Sequence, residues 1–269
     1  MNPVRAFLEE LKLEIIDFWR GLEALPAVIF VVAGLVMWAF HYYGGNEFFD
    51  ESIGPRLAKA TSFSPATIGL LRCCYWSWTA LVLFVLVPQA ALSVTTLLTK
   101  QPVERGFALG DRKAGLVAFA LFYGAMIPLL FLVAGTPDFR AHYPSCAHAR
   151  DSWTFFMIYE VHYVLFFCWW ESFFRGFLTL GLEKKFGFWT IFVQMLPFVV
   201  MHFDKPNLEA LSSVFAGILL GYLALRTRSF WYGAAIHAAT AFTLDVIAMA
   251  THHPVANPAT SPFLKIQGH

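Results

Sequence analysis

The chain has 269 residues, of which 58% are apolar and 17% aromatic against only 14% charged. So apolar a composition lies outside the range of soluble globular domains and makes membrane lipid the first expected partner. Nineteen basic against 18 acidic residues leave a net charge of +1, without the concentrated basic face that nucleic-acid binding needs, so no nucleic-acid partner is expected.

Residues 1-24 mix apolar positions with Arg5, Glu9, Glu10, Lys12, Glu14, Asp17 and Arg20. This reads as an amphipathic juxtamembrane segment lying on the bilayer surface, not as a cleavable signal. A spanning helix needs about 20 mostly apolar residues. Candidates lie at 25-43, 74-98, 114-134, 153-182, 188-203, 208-225 and 230-250, with 60-72 as a further short element. The fold expected is therefore all-α, a polytopic bundle of about seven transmembrane helices in one domain at 25-250. The fifth span is short and holds Pro197, which suits a tilted, kinked or enclosed helix. The last segment, 251-269, is a polar C-terminal tail whose proline content suggests disorder.

Positive charge orients the bundle. With the N-terminus cytoplasmic, eleven Lys and Arg fall in inner connections and six in outer ones, leaving Arg72 and Arg175 as intramembrane. The expected location is a plasma or bacterial inner membrane. Cys73, Cys74 and Cys168 fall in or beside apolar segments and Cys146 in a polar loop, a pattern that reads as neither a disulfide framework nor a metal-binding pair.

Glu171-Ser172-Phe173-Phe174-Arg175-Gly176 places an ionisable pair one turn apart inside an apolar helix. A charge at that depth needs a reason, either an intrahelical ion pair or chemistry. Glu160 lies eleven residues earlier, only about 20° away around the helix. His202 ends the fifth span and His237 stands in the seventh. At about 1.5 Å per residue, Glu171, His202 and His237 lie roughly 17, 21 and 13 Å above the inner ends of their helices, inside one slab. Gly217 and Gly221 form a GxxxG pattern, expected to serve helix packing within the chain.

The order of Trp170-Glu171-Ser172-Phe173-Phe174-Arg175-Gly176, then Phe198-x-x-x-His202, then Gly217 to Ser229, then Ile236-His237 resembles the CAAX-protease and bacteriocin-processing (CPBP) intramembrane protease family over residues 153-250. The resemblance implies a helix bundle enclosing a polar intramembrane cavity. There a glutamate and a histidine activate water for peptide hydrolysis, and a second histidine with an asparagine stabilises the oxyanion. Glu171, Arg175, His202 and His237 are the implied catalytic residues. In the implied glutamate mechanism Glu171 or a nearby carboxylate is the base, His202 orients the water and His237 donates to the oxyanion. No cofactor is required in that mechanism. Zinc is the alternative the resemblance allows, with Glu171, His202 and His237 as its ligands.

Two positions depart from the family pattern. Trp170 stands where the first of two adjacent glutamates is usual, and Ala241 where an asparagine or aspartate closes the last motif. Glu171 then takes over as base, or Glu160 or Glu209 supplies the carboxylate, or the fold persists without hydrolysis. Thr240 or Asp245 is a candidate to replace the lost hydrogen bond. The leading reading is an intramembrane endopeptidase that cuts a membrane-proximal or C-terminal segment of a membrane or lipid-linked protein. The alternative is a catalytically inactive scaffold or immunity protein that binds a partner or peptide. Hydrolysis calls for a carboxylate within about 3-4 Å of His202, directly or through one water.

Overall fold

The computed structural model describes residues 3–21 and 23–251, and every regular element among them is helical. Eight principal units follow one another: α1 Pro3–Gly21, α2 Ala24–Tyr43, α3 Pro65–Thr99, α4 Arg112–Ala134, α5 at 153–186, α6 Thr190–Val200, α7 Asn207–Thr227 and α8 Trp231–Ala250. Five of these, α2, α3, α4, α7 and α8, are long and apolar enough to cross a membrane unaided. The protein is a helical membrane bundle. In α1, Val4, Leu8, Leu11 and Ile15 expose apolar side chains at helical spacing, as an interfacial helix does. The polar tail lies, from residue 252 on, outside the described residues.

Residues 65–72 are not a separate short element but the first turns of α3, which runs for 35 residues. Ser64 accepts a hydrogen bond from the Thr67 N–H and Pro65 takes the first helical position, so the helix starts there. Arg72 looks from the sequence like an interruption. Its guanidinium instead reaches Asp50, 2.7 Å away, on the preceding short helices. A π-helical stretch, Leu81–Leu86, precedes Pro88, where the proline's missing N–H and ring make a regular α-helical register costly.

The cysteine expectation is also corrected. Cys73 of α3 and Cys146 of the loop before α5 form a disulfide across 73 residues of chain. Their linear separation hides that this loop, through the short 3-10 turn Ala147–Arg150, packs against both α3 and α5.

The central helix is α5. It joins α-helix Trp153–Glu171 to π-helix Ser172–Leu180 and then α-helix Gly181–Phe186, and residues 170–182 are buried without a break. Gly217 and Gly221 of α7 let that helix close on Met195, Phe198, Gln194 and Ile191 of α6, so the GxxxG pattern serves internal packing. With 11 residues, α6 rises only about 16 Å, half of a typical hydrocarbon core.

One end of the bundle, here called inner after its basic connections, is sewn shut by the loop between α3 and α4. The Asp111 N–H donates to the Thr227 carbonyl (3.0 Å), the Phe230 N–H to the Gly106 carbonyl (3.2 Å) and the Tyr232 hydroxyl to the Leu109 carbonyl (2.8 Å). Gly110 permits this contact: its φ is +49°, and a Cβ there would lie 1.7 Å from the Thr227 oxygen. Gly110→Ala is therefore expected to destabilise the bundle by about 2 kcal/mol or more, read as a lower melting temperature in detergent.

The same seam carries an acid-sensitive clamp. The Ala114 N–H, and then the Arg226 guanidinium 2.7 Å away, hold the Asp111 carboxyl below its ordinary range. A depressed carboxyl contributes stability above its unfolded value and loses it as pH falls through its folded value. Acidification below the ordinary carboxylate range should lower the melting temperature of the wild type more than that of Asp111→Asn.

Candidate active site

The chain turns from α- to π-helical geometry directly after Glu171, an irregularity common at functional sites. Glu171 and Arg175 are both fully buried, and Arg175 Nε lies 3.1 Å from Glu171 Oε2. This is an ion pair by distance; the guanidinium is not aligned for a linear hydrogen bond to the carboxylate. Its flat face is instead covered by the Phe198 ring, with centroid 4.2 Å from Cζ, so cation–π attraction adds to the ionic one.

The other carboxylate oxygen crosses to a second helix, with Glu171 Oε1 3.1 Å from His237 Nδ1 of α8. Close approach here depends on Gly233, where a Cβ would sit 2.8 Å from Glu171 Oε2. A carboxylate accepts, so His237 carries a proton on Nδ1, and Nε2 is the ring nitrogen left turned away from Glu171. His237 retains 21% side-chain exposure while Glu171 has none. The imidazole, not the carboxylate, is the member of this pair that is open to its surroundings.

His202 follows the end of α6 and is buried. Its Nδ1 lies 2.6 Å from the Phe198 carbonyl, which can only accept, so this ring too has a free Nε2. The two imidazoles stack at 6.2 Å between centroids with planes 13° apart. Trp170 meets His202 edge-on at 5.8 Å and Phe167 covers His237 at 4.3 Å. Four residues placed on three separate segments by the sequence thus meet: Glu171 and Arg175 with His237, and His202 beside it. The carboxylate bonds the second histidine and not the first.

The remaining sequence candidates lie apart from this cluster. Glu160 and Asp245 are buried against each other with Tyr159 alongside, and none of their four oxygens has a hydrogen-bond partner of standard geometry. Asp245 therefore addresses Glu160. Glu209 accepts from the Tyr143 hydroxyl at 2.7 Å, tying the start of α7 to the loop before α5. Thr240 is half-buried one turn beyond His237. Two surface clefts, one around Leu25, Pro102 and Lys184 and one around Phe49, Phe63 and Arg72, include none of the catalytic candidates.

Sequence reasoning missed the parts played by Gly233 and Phe198. In the sequence Gly233 is just one more glycine in an apolar segment, and Phe198 the first position of the Phe-x-x-x-His pattern. A catalytic zinc takes three protein ligands. Among the described residues no group of three His, Cys, Asp or Glu is placed to hold a metal, since Glu171 turns its two oxygens toward Arg175 and His237. The residues do not fit a three-ligand zinc centre.

Residues 144–243 match the family model described as Type II CAAX prenyl endopeptidase Rce1-like. No curated protein and no solved structure matches the chain. The matched segment takes in Glu171, Arg175, His202 and His237, the four side chains that meet inside the bundle. Over these residues the chain, an integral membrane protein, is similar to the CAAX-protease (CPBP) family of intramembrane proteases.

Proposed function

We propose that the protein is an intramembrane endopeptidase that hydrolyses a peptide bond in a membrane-proximal or C-terminal segment of a membrane or lipid-linked protein. The observation that carries this reading is the 3.1 Å bond between buried Glu171 and partly open His237, with His202 stacked beside it. Two imidazoles locked as Nδ1–H tautomers present two Nε2 acceptors. A water donating to both would keep its lone pair free for a substrate carbonyl carbon.

His237 Nε2 takes one proton as the C–O bond forms, and the resulting imidazolium is stabilised by Glu171 through Nδ1. That positive charge lies beside the developing oxyanion. The proton then passes to the amide nitrogen as the C–N bond breaks, releasing a carboxyl and an amine. Glu171 is in this scheme a positioning residue acting through His237, and Arg175 neutralises it.

Trp170 favours a second reading. The indole lies against His202 where the family places a carboxylate, and a site so altered suits a scaffold that holds a peptide without cutting it. Purified protein in proteoliposomes, assayed with fluorogenic peptides carrying a hydrophobic anchor, separates the two. Under the protease reading the wild type turns over, and His202→Ala and His237→Ala each lower kcat by about 10²–10⁴-fold. A wild type that binds the peptides without cleaving them, and gains turnover in Trp170→Glu, establishes the scaffold.

The charge pair yields a separate expectation. Glu171→Gln leaves Arg175 buried and unpaired, which costs about 3–5 kcal/mol. Glu171→Gln combined with Arg175→Gln should recover most of the melting temperature while kcat stays at the level of Glu171→Gln. Recovery of turnover together with stability would reduce Glu171 to a structural role.

A further inference from the structure

Building on the peptidase reading, we infer that the site opens toward the extracytoplasmic side, so that its substrates are peptide segments exposed outside the cytoplasm and not cytoplasmic tails. Three independent features converge on this.

The first is sidedness. Disulfides form and persist on the oxidising side of a membrane, and Cys73–Cys146 joins α3 to the loop before α5. This loop lies at the bundle end opposite the seam that contains Arg226 and Arg228. The basic connections, which favour the cytoplasm, and the disulfide therefore assign the same face to the outside.

The second is closure below the histidines. Phe173, Phe174 and Phe177 of the π-helical stretch are completely buried. Beneath them the loop between α3 and α4 presses its Arg105 carbonyl so close to Gly176 that a Cβ there would lie 2.6 Å from it. An extended peptide has no route to His202 or His237 through this aromatic floor.

The third is the opening above. Because α6 stops at Val200, about 16 Å from its start, residues 201–206 leave the helix at membrane depth. Irregular backbone is tolerated there only when protein encloses it or it lines water. This segment begins beside His202 and carries exposed Phe203 and Asp204. Lys205 extends to His142 Nε2 at 3.3 Å and lies 5.7 Å from the Tyr143 ring centroid. A polar path thus runs from His202 along the turn to the disulfide-tethered loop.

Single cysteines at 204 and 113, introduced as Asp204→Cys and Lys113→Cys in a background lacking Cys74 and Cys168, test this with a membrane-impermeant maleimide. Position 204 should label in right-side-out vesicles at least tenfold faster than in inverted ones, and position 113 should show the reverse. Phe203→Cys provides a second outer position should Asp204→Cys misfold. Cys73 and Cys146 should react only after reduction. Labelling of 203 or 204 from the inverted side alone overturns the inference. The readout does not require turnover: outward labelling without peptide cleavage would sink the peptidase reading and leave the sidedness standing, and cleavage with inward labelling would do the opposite.

Discussion

The organisation of this bundle depends on a carboxylate that has no solvent. Glu171 is completely buried, and an unpaired charge in that setting would not persist. Its two oxygens are divided between Arg175 one turn away and His237 on a different helix. The first contact neutralises the charge, and the second fixes the tautomer of an imidazole. Much of the local architecture serves these two contacts. The Phe198 ring covers the guanidinium, Gly233 vacates the space beside the carboxylate, and the π-helical turn begins at the next residue.

Such a pair contributes little net stability, because desolvating both ions offsets most of their attraction. It also joins two helices, since the carboxylate stands on α5 and the imidazole it meets on α8. The same constraint explains why Gly233 faces Glu171. A methyl group there would enlarge the helix separation at the point where a hydrogen bond of 3.1 Å must form.

The bundle divides into two unlike halves. Toward the inner end, backbone bonds from the loop between α3 and α4 and a block of phenylalanines leave the ion pair no exposure to solvent. Toward the other end α6 is absent beyond Val200, and Lys205 of the turn after it and Glu209 of α7 meet His142 and Tyr143 of the loop before α5. The ion pair and the phenylalanines beside it thus belong to the closed half of the bundle, and the polar turn to the other.

Hydropathy and charge spacing determined by themselves that this is a membrane helix bundle, because the demand for internally satisfied backbone bonds in lipid leaves few alternatives. The separation of Glu171 from Arg175 also determined their pairing, since both lie on one helix with a known rise and twist. Relations between helices were beyond that reading. Only the tertiary structure decided that Glu171 bonds His237 and not His202, that Asp245 turns to Glu160, that residues 65–72 belong to α3 and that Cys73 pairs with Cys146. Each of these outcomes depends on how one helix is rotated and raised against another, which is set by packing of small and large side chains across the interface and leaves no periodic signal in either segment alone.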